Sequence, residues 1–177
     1  MIEQELSPYQ LLFFNRELNF GSSSSNILKG NVKISGANYS QLKLAIIEVL
    51  TNSEWAYLSI NPKSKSWQIN EKWNGDFVEQ FIEPELALGA NLWSVQLVQE
   101  TEKDSLLRLC LHHCLGDAHS FNLFWNNVYS HYEKGTFIEP SSLQERTSES
   151  NSFVHSVEQK ELPADLGLGE VKRLSFD

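Results

Sequence analysis

The segment Leu109-Cys110-Leu111-His112-His113-Cys114-Leu115-Gly116-Asp117-Ala118-His119-Ser120 holds most of the residues able to do chemistry. It sets two adjacent histidines at the end of an apolar run, then a short turn, then a polar residue suited to start a helix. An imidazole titrates near neutral pH, so it can take a proton from an attacking amine, hydroxyl or thiol. A histidine at a strand end can equally be a hydrogen-bonded structural group, and one of the two can face a cleft while the other is held in the structure. Asp117, four residues further on, can fix the turn, cap the helix or stabilise a positive partner. Two other chemistries fit the segment poorly. Cys110, His112, His113, Cys114 and His119 are all local, whereas structural zinc sites draw paired ligands from separated segments, so no metal is expected. Ser120 lacks a Gly-x-Ser-x-Gly elbow, and adjacent residues on a helix do not face each other, so His119 and Ser120 do not read as a base and nucleophile.

These residues need a strand before them and a helix after them, and the pattern supplies both. Leu106 to His112 reads as a strand. Alternation along it would put His113 on the face of Leu107, Leu109 and Leu111, and His112 on the face of Arg108 and Cys110, with the two rings on opposite sides. Leu92 to Gln99 is the preceding strand, joined through the polar stretch Glu100 to Asp104 as a hairpin. Asp117 to Tyr132 is a helix with Phe121, Phe124, Trp125, Val128 and Tyr132 on one face, capped by Asp117 or Ser120 and ended by Gly135. Upstream, Ser7-Pro8-Tyr9-Gln10 has the form of a capping box with Pro at the first helical position, and Leu11, Phe14 and Leu18 then fall on one face. Leu28 to Ile34 alternates as a strand, and Tyr39 to Thr51 is an amphipathic helix. Glu54 to Ile60 and Ser66 to Ile69 are short strands about the turn Asn61 to Ser64. Asn74-Gly75 reads as a turn, and Phe77 to Glu83 as an extended segment. Beyond Pro140 a Ser/Glu-rich stretch reads as a linker. The predicted division is a lobe over 1–138 and a linker and crossover segment over 139–177, in which Leu174 to Asp177 could dock.

The 177 residues suffice for one domain with a core of its own. Hydrophobic residues at 41% and aromatics at 11% favour a folded chain. A net charge of -9 with no basic patch argues against nucleic acid and against an anionic membrane surface. Met1 to Ser7 has no apolar signal region, no run approaches a membrane span, and two cysteines do not make a disulfide framework, so a cytoplasmic protein with free thiols is expected.

His112-His113-x-x-x-Asp117-Ala118 resembles the His-His-x-x-x-Asp-Gly motif of the condensation-domain and chloramphenicol-acetyltransferase-like superfamily of acyltransferases. The flanks agree in order. Leu6 to Gln10 resembles the opening helix of condensation domains. Asn26-Ile27 with the strand after it, the helix Tyr39 to Thr51, and Asn91 to Leu97 before the motif follow. Glu161 to Asp165 resembles the crossover between lobes. The resemblance implies an α/β fold: a two-layer sandwich, a mixed β-sheet with helices on one main face, corresponding to the N-terminal lobe. It implies His113 as the catalytic general base, with His112 and Asp117 as structural members of the motif. The donor would be a thioester on a phosphopantetheinyl carrier protein or on coenzyme A, with no permanently bound cofactor. The acceptor would be an amine or hydroxyl, as in nonribosomal peptide or polyketide biosynthesis. A second lobe would come from the same longer chain, a partner chain or self-association. Three departures stand out: Ala118 replaces the motif glycine, Tyr57 falls where an arginine partner of Asp117 is expected, and no second lobe follows. They fit an alternative, a degenerate, non-catalytic lobe that docks a carrier protein or a megasynthase neighbour.

Overall fold

The computed structural model describes residues 4–21, 24–135 and 175–176. The linker reading of Ser141 to Ser152 and the crossover reading of Glu161 to Asp165 lie outside the described residues. In chain order the elements are β1 (Gln4–Glu5), α1 (Pro8–Phe20), β2 (Ile27–Ser35), α2 (Tyr39–Thr51), β3 (Leu58–Asn61), β4 (Ser66–Ile69), β5 (Gly75–Val78), β6 (Trp93–Gln99), β7 (Asp104–His112), α3 (Ala118–Lys134) and β8 (Ser175–Phe176). Five strands in the order β5-β6-β7-β2-β8 make the main sheet, and β1-β4-β3 make a small second one. The main sheet is mixed, because β5 runs parallel to β6 while β7 is antiparallel to both β6 and β2. The expected α/β lobe is therefore the observed one.

The main face follows from alternation in β7. Leu107, Leu109 and Leu111 are buried. Two of them, Leu109 and Leu111, meet Val49 of α2 and Phe124 of α3 around an enclosed cavity of about 30 Å³. That volume has room for a water or two and for no substrate. Helix α2 buries Leu42, Ala45, Ile46, Val49 and Leu50, the residues its 3.6-residue periodicity singles out. Helix α3 buries Phe121, Phe124, Asn127 and Val128 and ends on Gly135 in the left-handed conformation. One glycine of β2 has a packing reason: a Cβ on Gly30 would sit 2.7 Å from the Phe121 ring. Gly30 lies opposite Leu109 in the ladder, so its missing side chain lets α3 settle on the sheet.

Several elements differ from the sequence reading. Glu54–Tyr57 is a 3-10 turn, and only Leu58–Asn61 of that segment is strand. Asn74-Gly75 is no tight turn, since Gly75 begins β5, where a Cβ would lie 2.2 Å from the Trp93 ring. Helix α1 buries Phe14 and Glu17, while Leu18 is 57% exposed. Its inner stripe is rotated from the predicted one because a carboxylate occupies an inward position.

Candidate active site

The capping box that opens α1 is formed as read: Ser7 N–H donates to Gln10 Oε1 at 2.9 Å, and Gln10 N–H donates to Ser7 Oγ at 3.3 Å. The same Gln10 oxygen accepts from Trp67 Nε1 of β4 at 3.3 Å, and the Gln10 carbonyl accepts from the Cys114 thiol at 3.4 Å. Helix α1 is thus tied at its start to the small sheet and to the turn after β7. That turn carries the two histidines.

Strand β7 ends at His112, so His113 belongs to the turn that follows and strand alternation does not govern it. The turn closes by the Leu115 N–H to the His112 carbonyl at 2.8 Å. The expectation of rings on opposite sides is therefore corrected, because both rings pack on α1. Phe13 and Glu17, one helical turn apart, receive them. The His113 ring stacks on Phe13 with centroids 4.3 Å apart and planes within 7°. His112 is fully buried, with Nε2 2.7 Å from Glu17 Oε2. Its Nδ1 accepts the Cys114 N–H at 3.2 Å. An accepting Nδ1 carries no proton, so the ring's proton is assigned to Nε2 and donated to Glu17.

His113 is half-buried, and its Nδ1 has no hydrogen-bond partner among the described residues. Burial pushes its pKa below the ordinary 6.5. The neighbouring His112 and Arg16 push the same way, and Asp117 offsets part of the effect. Asp117 is exposed at the N-cap of α3. Its Oδ1 accepts from Ser120 N–H at 3.0 Å and from Ser120 Oγ at 3.1 Å, and Ser120 Oγ accepts the Asp117 N–H at 3.1 Å. Ser120 is therefore a capping residue. Tyr57 gives Asp117 no hydrogen bond, because its hydroxyl donates to the Thr51 carbonyl at 3.0 Å. Ala118 is exposed at the first position of α3, without positive φ, so its methyl meets no steric penalty. The glycine the turn needs is Gly116, whose Cβ would lie 2.7 Å from Ser120 Oγ and 2.9 Å from its Cβ.

Glu17 and Phe13 were not singled out from the sequence, and Asn26 entered only as the residue before the β2 strand. Glu17 is 6% exposed. The N–H groups that converge on it include those of His112, of Leu88 N at 2.7 Å and of Asn26 Nδ2 at 3.3 Å. Burial alone would raise its pKa, but these hydrogen bonds outweigh burial and hold it below the usual carboxylate range. The one available signal was the shared helical face of residues 13 and 17. The thiols are free and buried, which lifts Cys110 to about 11 and Cys114 to about 12. They are poor nucleophiles there. Among the described residues no group of three His, Cys, Asp or Glu side chains is placed to hold a metal, and no helix is long and apolar enough to cross a membrane. An open groove follows α1 along Leu12, Phe13, Asn15, Arg16, Asn19 and Phe20; neither histidine lines it, and Phe13, on which His113 stacks, is its link to the motif.

Several solved structures share this fold, and condensation domains of nonribosomal peptide synthesis are among them. The starter condensation domain of the rhizomide synthetase RzmA superposes with a TM-score of 0.67 at 14% identity, covering 85% of this chain and 43% of that one. VibH, an NRPS condensation enzyme, gives 0.64 at 12% identity over 82% of this chain and 41% of its own. The tallysomycin biosynthesis protein TlmII gives 0.60 at 18% identity over 75% and 39%. The chain spans less than half the length of these structures, and at such identities the likeness is one of fold: an α/β lobe of condensation-domain type. No protein-family model and no curated protein matches the sequence.

Proposed function

We propose that this chain is the N-terminal lobe of a condensation-type acyltransferase, with His113 as its general base. The observation that carries the reading is the state of the His113 ring. It is half-buried, stacked flat on Phe13, biased by burial toward its unprotonated form, and unengaged at Nδ1 by any described residue. A base must hold an unprotonated nitrogen at working pH, and burial favours that form; Nδ1 is itself sealed, so the nitrogen assigned to the substrate proton is Nε2. The acyl group would arrive as a thioester on a phosphopantetheinyl carrier protein or on coenzyme A. As an amine or hydroxyl attacks the thioester carbonyl, a C–N or C–O bond forms and His113 takes the proton. Collapse of the tetrahedral intermediate breaks the C–S bond, and the proton passes from His113 to the leaving thiolate. His112 and Asp117 hold the turn, the first through Glu17 and the second as helix cap. A second lobe would supply the remaining walls of the site.

The test is His113→Ala in the assembly of this chain with its second lobe, using a carrier-bound thioester and an amine acceptor. Transfer is expected to fall at least about 100-fold, with carrier binding retained. Undiminished transfer would remove the enzymatic reading. It would leave the alternative, a non-catalytic lobe that docks a carrier protein or a synthase neighbour. Two observations favour that alternative. Tyr57 is committed to Thr51, and α1 displays Tyr9 at 50%, Leu12 at 62% and Phe20 at 84% exposure.

A further inference from the structure

Glu17 takes no part in the proton transfers of the proposed reaction, yet it is a nearly sealed carboxylate, which is costly unless hydrogen-bonded. Its partners are not scattered. His112 ends β7, Asn26 immediately precedes β2, and Leu88 lies between β5 and β6. Two of these partners hold the chain on either side of His113. The Asn26 carbonyl accepts the His113 N–H at 2.8 Å, and His112 Nδ1 accepts the Cys114 N–H at 3.2 Å. Those two N–H groups belong to the two peptide units that adjoin the His113 Cα, and the orientation of those units aims the imidazole.

We propose that Glu17 is a positioning residue for His113: it fixes the His112 proton on Nε2 and anchors Asn26, so both peptide units flanking the His113 Cα are held by groups that Glu17 itself holds. The inference rests on reading His113 as the base. Its hydrogen-bond logic is specific to a carboxylate. Oε2 receives Asn26 and His112, and Oε1 receives Leu88. A glutamine in its place must turn its NH2 toward one of these donors. Facing Leu88 N–H, it leaves two donors opposed. Facing His112, it forces the imidazole proton onto Nδ1, where it meets the Cys114 N–H. In the first case only the Leu88 anchor is lost, and Asn26 and His112 keep their acceptor; in the second the His112 side of the clamp opens. Glu17→Ala removes the acceptor from both sides. The same logic gives Asn26 a role in aiming His113, through its side chain on Glu17 and its carbonyl on the His113 N–H.

The experiment uses the full chain labelled with 15N, in wild-type form and as Glu17→Ala, which leaves neither Asn26 nor His112 an acceptor at position 17. In the wild type, ring nitrogen shifts should place the His112 proton on Nε2; a proton on Nδ1 overturns the proposal, and this measurement decides the matter even if the variant does not fold. In a folded variant, amide exchange at His113 and Cys114 should rise at least about tenfold, while Val95 and Leu107 in the sheet stay within about twofold. Unchanged exchange at both amides overturns the clamp. In the assembly with the second lobe, the variant should lose about 100-fold in kcat with KM within about twofold, since misaiming the base harms the transition state more than binding. Faster exchange with unchanged transfer overturns the positioning role. An inert His113→Ala substitution instead removes the base reading and leaves the ring and exchange results to judge the clamp alone.

Discussion

At the residue scale, two adjacent histidines have opposite fates because they meet different parts of one helix. His112 reaches the buried carboxylate of Glu17 and gives up both ring nitrogens to hydrogen bonds. His113 meets the flat face of Phe13, which offers packing but no acceptor or donor, so its Nδ1 remains buried and unmatched among the described residues. A structural histidine and a candidate base are thus separated by the chemistry of positions 17 and 13. A pH prediction belongs here. Burial, aided by His112 and Arg16, disfavours the imidazolium of His113 more than Asp117 restores it. The unprotonated form should therefore persist below the ordinary 6.5. An NMR titration of the His113 ring in this chain is expected to give a midpoint under that value. In the complete assembly, the acidic limb of kcat/KM should follow the same midpoint, because protonation removes the lone pair that accepts the substrate proton. A midpoint above 6.5 would contradict the desolvated setting.

At the element scale, the site depends on where strands stop and how closely helices approach. Strand β7 ends one residue before His113, and the turn that follows lets both rings reach α1. Gly116 gives that turn room beside Ser120, so the Asp117 cap can form immediately after it. Gly30 does the corresponding job for α3 on β2, where any Cβ would enter the space of the Phe121 ring. Phe121 is fully buried and has nowhere to retreat. Gly30→Ala should therefore destabilise the chain by about 1–3 kcal/mol through overpacking, despite the better strand propensity of alanine. Urea unfolding followed by tryptophan fluorescence checks this, and an unchanged midpoint would mean that α3 does not need the gap.

At the scale of the whole molecule, Glu17 also links the site to folding. Its folded pKa lies below the ordinary 4.5, so its contribution is fully present above that pH and is lost as pH falls through the lower folded value. Acid unfolding should begin below about pH 4.5, and in Glu17→Gln the loss of stability across that window should be shallower. Parallel acid titrations followed by circular dichroism give the comparison, and identical slopes would remove Glu17 from the pH dependence. The sequence by itself determined the motif and those elements whose signals are local. Periodicity located α2 from Tyr39 to Thr51 and the β6–β7 hairpin, and cap residues marked the starts of α1 and α3. These are local signals, written in residues within a turn or two of one another. Tertiary structure alone decided that α1 turns Glu17 rather than Leu18 inward, that Tyr57 serves Thr51 rather than Asp117, and that both histidines lean on one helix. Each of those outcomes depends on a partner distant in sequence. Glu17 and His112 are 95 positions apart, and no pattern along the chain says that a buried carboxylate will find that imidazole until the sheet and helix have been packed together.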